Sequence, residues 1–122
     1  MRTVAILLAL LPLAGGALAA ETSFQIGLVI KGDAEFKTVK YDCEGIPSFD
    51  VEYINAAPNF LVIIPVQADT YVFTAVTAAS GVRYVAGNFV WWTKGTDAEW
   101  YDVTQGDDAP PAFKCSEHLQ TP

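Results

Sequence analysis

The residues best suited to recognition chemistry lie close together in this chain. They read Ala79-Ser80-Gly81-Val82-Arg83-Tyr84, then a Gly87-Asn88 break, then Trp91-Trp92-Thr93-Lys94-Gly95. Each half sets a glycine beside a polar residue, Ser80 at one mouth and Lys94 at the other. Glycine adopts backbone conformations that other residues resist, which thrusts its neighbour outward. Arginine with tyrosine and tryptophan is the composition of binding hot spots. A plainer account makes Tyr84, Trp91 and Trp92 ordinary strand wall, one tryptophan inward and the next outward. Ser80 is then only a turn residue and Lys94 a solvated lysine.

Groups suited to catalysis are scarce. The single histidine, His118, sits near the C-terminus, so a Ser-His-acid arrangement has no well-placed base. Asp107 and Asp108 fall in a Pro-rich loop and read as a solvated run. Glu44, Asp50 and Glu52 occupy outward strand positions. No glycine-rich loop follows a strand and opens a helix to cradle phosphate. Neither Cys-x-x-Cys nor His-x-x-x-His spacing occurs, so no metal site is expected. The chain reads as a binding protein with no catalytic residues and no cofactor.

The elements that must position these side chains begin after an export signal. Arg2, the apolar run Val4 to Leu13 and the small-x-small site Ala17-Leu18-Ala19 mark residues 1–19 as a signal peptide. That run is too short for a membrane-spanning helix, which needs about 20 apolar residues. No cysteine lies near the cleavage site to accept a lipid anchor, so a soluble periplasmic form without a membrane anchor is expected. Losing Arg2 moves the formal charge from −7 to −8. Such a surface argues against nucleic acid or anionic lipid, both of which need a basic patch, and favours a basic partner. Solubility alone also accounts for an acidic balance.

Cys43 and Cys115 are the only cysteines, and an even count in an oxidising compartment points to a disulfide. A bond across so long a loop is worth about 4 kcal/mol through chain entropy. Alternation and β-branched or aromatic residues dominate residues 20–122, which form a single domain. Strands are expected over Phe24 to Ile30, Phe36 to Cys43, Phe49 to Tyr53 and Phe60 to Val66. Others follow at Tyr71 to Thr77, Val82 to Val85, Phe89 to Thr93 and Glu99 to Val103, with a short piece at Phe113 to Cys115. Pro65 demotes the end of its strand to an edge or bulge, and the tail after Cys115 reads as mobile. About eight short strands suit an all-β fold, a small antiparallel β-barrel with one disulfide. A flat sandwich is the second choice, since it leaves edges to protect.

Ser80-Gly81-Val82-Arg83-Tyr84 followed by Trp92-Thr93-Lys94-Gly95 and Ala98 resembles the signature of the bacterial inhibitors of c-type lysozyme. The family pattern runs Ser-Gly-x-x-Tyr, then aromatic-x-Lys-Gly-x-x-Ala. Tyr41-Asp42-Cys43, Val51-Glu52-Tyr53-Ile54-Asn55 and Cys115 match further pieces, so the likeness spans Tyr41 to Cys115. It implies an eight-stranded antiparallel barrel with the Ser80 and Lys94 loops side by side. It also implies that these loops enter the cleft of lysozyme, Ser80 against the catalytic aspartate and Lys94 against the catalytic glutamate. Gly81 and Gly95 would shape the loops, and Arg83 and Tyr84 would support them or widen the contact. C-type lysozymes are basic, which suits the acidic charge. Residues 21–40 extend beyond the family's common core.

Two further functions compete. A miniature carrier would hold an apolar molecule inside the barrel, although a chain this small should fill its barrel with side chains. An envelope interaction module would leave the Ser80–Lys94 surface inert.

Overall fold

The computed structural model describes residues 15–16 and 21–119. Most of the export signal read over residues 1–19 lies outside the described residues. Eight antiparallel strands follow one another around a closed barrel, each hydrogen-bonded to the next and β8 to β1. They are β1 Glu35–Cys43, β2 Ile46–Ala56, β3 Asn59–Val66, β4 Asp69–Val76, β5 Val82–Ala86, β6 Phe89–Lys94, β7 Asp97–Asp102 and β8 Phe113–Glu117. The sandwich is excluded.

Strand periodicity builds the interior. Tyr41, Val51, Val62, Ile64, Phe73, Tyr84, Trp91 and Trp100 point inward and make one buried cluster. Trp100 gathers Tyr71, Phe73, Phe89 and Phe113, each ring centroid within 5.4 Å of its own. Trp91 meets the edge of Tyr41 at 5.1 Å. Its indole N–H donates to the Tyr53 hydroxyl at 3.1 Å, and the Tyr41 and Tyr53 hydroxyls lie 2.7 Å apart. Burial pushes both phenols up, so they stay neutral donors and acceptors at ordinary pH. The barrel's centre is thus packed with rings and leaves little for a carrier to work with.

Cys43 and Cys115 face each other across the β1–β8 seam and form the disulfide. The bond therefore fastens the two strands whose pairing closes the ring. That seam is short, running only from Tyr41 to Cys43 on β1.

Two expectations need correction. Phe24 to Ile30 is not a strand: Phe24, Ile26 and Leu28 are 78%, 76% and 58% exposed and the backbone is irregular. The ring is already closed without it, so its alternating apolar residues find no sheet face to cover. The start of the tail after Cys115 is ordered. β8 runs on to Glu117, the His118 amide donates to the Lys40 carbonyl at 2.8 Å, and its ring meets Asp42 at 2.6 Å. Pro65 lies beyond the last β2 partner of β3, Ile63, while still paired with Thr70 of β4. It sits at a local edge, where a missing N–H is tolerated.

Candidate lysozyme-contact site

β5 and β6 pair with Val82 opposite Thr93, so the chain just before β5 meets the chain just after. Gly81 has φ +63°, and a Cβ there would lie 2.2 Å from the Thr93 carbonyl oxygen and 2.8 Å from Lys94 Cγ. Only a hydrogen fits. This close approach brings the Ser80 loop against the Lys94 turn, at one end of the barrel. Gly95, at φ +58°, meets nothing within 4 Å of its own Cβ position. Its contribution is conformational: it lets the chain reverse between Lys94 and Asp97, which pair as the last rung of β6 and β7.

Ser80, Gly81, Lys94 and Gly95 are all exposed. The Trp92 indole N–H donates to the Ser80 carbonyl at 2.9 Å, tying one loop to the other. Lys94 Nζ stands 4.3 Å from the centroid of the Trp92 ring, and Arg83 Cζ stands 5.3 Å from it. Strand alternation explains the grouping: Trp92 and Lys94 are two apart on the outer face of β6, and Arg83 is the cross-strand partner of Trp92. Among the described residues the one ion pair is His118 with Asp42, so no carboxylate lies within 4.0 Å of the Lys94 ammonium, although Asp97 and Glu99 line the same depression.

Arg83 is half-buried, and its Nε has no hydrogen-bond partner. With Trp92, Tyr101, Asp107 and Asp108 it borders a groove of about 330 Å³. Tyr101 hydrogen-bonds Glu99, and burial together with that carboxylate pushes its phenol up to about 12. Of the two roles expected of Tyr84, support of the loops or a wider contact, its placement suits the first. It is 6% exposed and faces the interior, its ring 6.0 Å from Tyr53. Since Arg83 points outward, its neighbour in a strand must point inward. Tyr84 can support the hairpin from beneath but cannot widen a contact. Trp92, the aromatic of the aromatic-x-Lys-Gly pattern, is absent from the expected contact residues, and its placement across both loops is what the structure adds.

Residues 41–109 match the family model described as membrane-bound lysozyme-inhibitor of c-type lysozyme. A membrane-bound lysozyme inhibitor of C-type lysozyme from Pseudomonas aeruginosa is 40% identical over 93 residues, covering 74% of this chain and 73% of the relative. A protein of the same description from Cupriavidus necator is 30% identical over 79 residues, covering 65% of this chain and 63% of its own length. The crystal structure of Pseudomonas aeruginosa MliC in complex with hen egg white lysozyme is similar at a TM-score of 0.64 and 34% identity. That likeness covers 80% of this chain and 100% of the other. Its members are inhibitors, binding proteins rather than enzymes, and their name implies an envelope location. The soluble form expected from the sequence differs from what the relatives' names say of them. On these matches the chain belongs to the family of membrane-bound lysozyme inhibitors of c-type lysozyme.

Proposed function

We propose that this chain inhibits a c-type lysozyme by seating the Ser80 loop and the Lys94 turn in the enzyme's active-site cleft. One observation carries the reading: an exposed hydroxyl and an unpaired ammonium sit on loops locked together at Gly81 and Trp92. Enzymes of this class use two carboxylates, one held protonated by a raised pKa so that it can donate to the leaving group. An ammonium placed beside that acid favours its ionised form and takes the room of the sugar. The acid catalyst is then lost. Ser80 adds a hydroxyl for the second carboxylate.

Lys94 must shed water to enter the cleft, and a desolvated charge pair is favourable only when its geometry is good. A barrel packed with rings supplies the stiffness, because loops already ordered lose less entropy on binding. The acidic surface raises the encounter rate with a basic enzyme. A soluble periplasmic form is part of this proposal. Recovery in the periplasmic fraction without detergent checks it, whereas recovery only with membranes overturns it.

The test is lysis of peptidoglycan by hen egg white lysozyme with purified protein added. The parent chain should block lysis, and Lys94→Ala should weaken inhibition about 30-fold or more, the cost of leaving a buried charge without its partner. Ser80→Ala should weaken it less. If both variants inhibit as well as the parent, the loops are assigned wrongly. Failure of lysozyme to capture the parent chain would instead favour an envelope module.

A further inference from the structure

Trp92 joins both loops from outside the buried core cluster. It lies on the outer face of β6, next to the inward Trp91. Its N–H is spent on the Ser80 carbonyl at 2.9 Å, and its ring has the Lys94 ammonium 4.3 Å from the centroid. Its Nε1 also lies 3.2 Å from where a Gly81 Cβ would stand, so the indole edge is wedged at the seam. We infer that Trp92 is the positioning residue of the inhibitory contact, pinning the Ser80 loop through its N–H and steadying the Lys94 ammonium on its ring. This inference rests on the reading that Ser80 and Lys94 enter the cleft.

The chemistry explains why an aromatic ring serves here rather than an acid. A lysine on an exposed turn spreads over many rotamers, and ordering them is a cost met at binding. A carboxylate anchor would order Lys94 but neutralise it, and the target's glutamate would then have to displace that anchor. A ring attracts the ammonium through its quadrupole and leaves the charge intact. No described carboxylate pairs with Lys94, although Asp97 is its partner across the turn. Arg83 also approaches the ring, its Cζ 5.3 Å from the centroid. The ammonium is held without being consumed.

Trp92→Phe keeps an aromatic face but removes the donor to Ser80, and Trp92→Leu removes both. Inhibition constants against hen egg white lysozyme should rise about 3-fold for phenylalanine and about 10-fold for leucine, the range expected when one long side chain must be ordered at binding. In proton NMR the Lys94 Cε methylene of the parent should be shifted upfield by the ring. The shift should persist in Trp92→Phe and vanish in Trp92→Leu. A tryptophan that only fills space would leave those protons unshifted in the parent, which overturns the inference. So does Trp92→Leu inhibiting within 2-fold of the parent while Lys94→Ala has lost inhibition; the function proposed above then stands without this residue. Lys94→Ala inhibiting like the parent removes that function and the inference together. Should Trp92→Leu fail to fold, Trp92→Phe decides: an inhibition constant equal to the parent's, with the Ser80 amide unmoved, overturns it.

Discussion

The hairpin from Val82 to Lys94 and the stretch from Phe24 to Ile30 carry similar strand patterns and meet opposite fates. Both alternate apolar residues, and both are followed by a glycine turn, Gly95-Thr96 in one and Lys31-Gly32-Asp33 in the other. In the hairpin each inward residue finds partners: Tyr84 faces Trp91 across the strands, and Trp91 faces Trp100. In the N-terminal stretch Phe24 and Ile26 remain more than three-quarters exposed. Periodicity states what a segment would do if a face were offered. Whether a face is offered depends on where the barrel closes.

Covalent closure is the largest difference between the two regions. Cys43 and Cys115 bracket both candidate loops, whereas Phe24 to Ile30 lies outside the bracket. Replacing both cysteines by alanine should cost about 2–5 kcal/mol of stability, read as the drop in the urea midpoint of unfolding. The β1–β8 seam spans few residues, so the loss should fall on barrel closure and be seen first in amide exchange at Tyr41 and Glu117. An unchanged midpoint would mean that strand pairing alone closes the ring, and the bracket would explain nothing.

A smaller effect separates the glycines within the site. Gly81 meets backbone at 2.2 Å from its missing Cβ and also has positive φ; Gly95 has positive φ and open space. Gly81→Ala should therefore lose about 2–4 kcal/mol, from left-handed strain plus the forced separation of two strands. Gly95→Ala should lose only about 1 kcal/mol, the strain alone. Inhibition should follow the same order, because only the first substitution parts Ser80 from Lys94. Thermal melting and inhibition constants for the pair check both halves. Equal losses for the two variants would show that the close approach at Gly81 relaxes freely.

Much of this was legible in the sequence, for reasons that differ by residue. Gly87-Asn88 between two β-rich runs gave the β5–β6 turn, and Ala86 pairs with Phe89 as that turn requires. The disulfide followed from compartment and count. The adjacency of the Ser80 and Lys94 loops came from the family likeness, and the register of β5 on β6 is its physical basis. Support and wider contact stayed open for Tyr84 because alternation fixes that Arg83 and Tyr84 diverge, not which of them faces inward; the barrel core decides that. The family likeness marks Trp92 as the aromatic before Lys94, but its hydrogen bond to Ser80 depends on the pairing of β5 with β6 and is not written in either segment alone. Phe24 to Ile30 was misread because nothing in a local pattern reports that the ring is already full.

The smallest expected effect tests that last point. A chain shortened to start at Ala34 loses Phe24, Ile26, Leu28 and Val29, all of them exposed, and keeps every strand of the barrel. Apolar side chains left in water contribute almost nothing to folding, because stabilisation scales with the area withdrawn from solvent. The melting temperature should stay within about 2 °C of the parent's, since even 1 kcal/mol would move a domain of this size by about 4–8 °C. Inhibition should stay within about 2-fold, because β1 of the barrel begins only at Glu35 and the stretch makes no hydrogen bond to either loop. A drop of several degrees would mean that the stretch packs on the barrel in solution. β1 offers a place for it, since only Tyr41 to Cys43 of that strand pair with β8, and the edge lies open before Lys40, whose carbonyl accepts from the His118 amide. Loss of inhibition at unchanged stability would mean instead that Phe24 to Ile30 reaches the enzyme directly, and the contact would no longer be confined to the hairpin end.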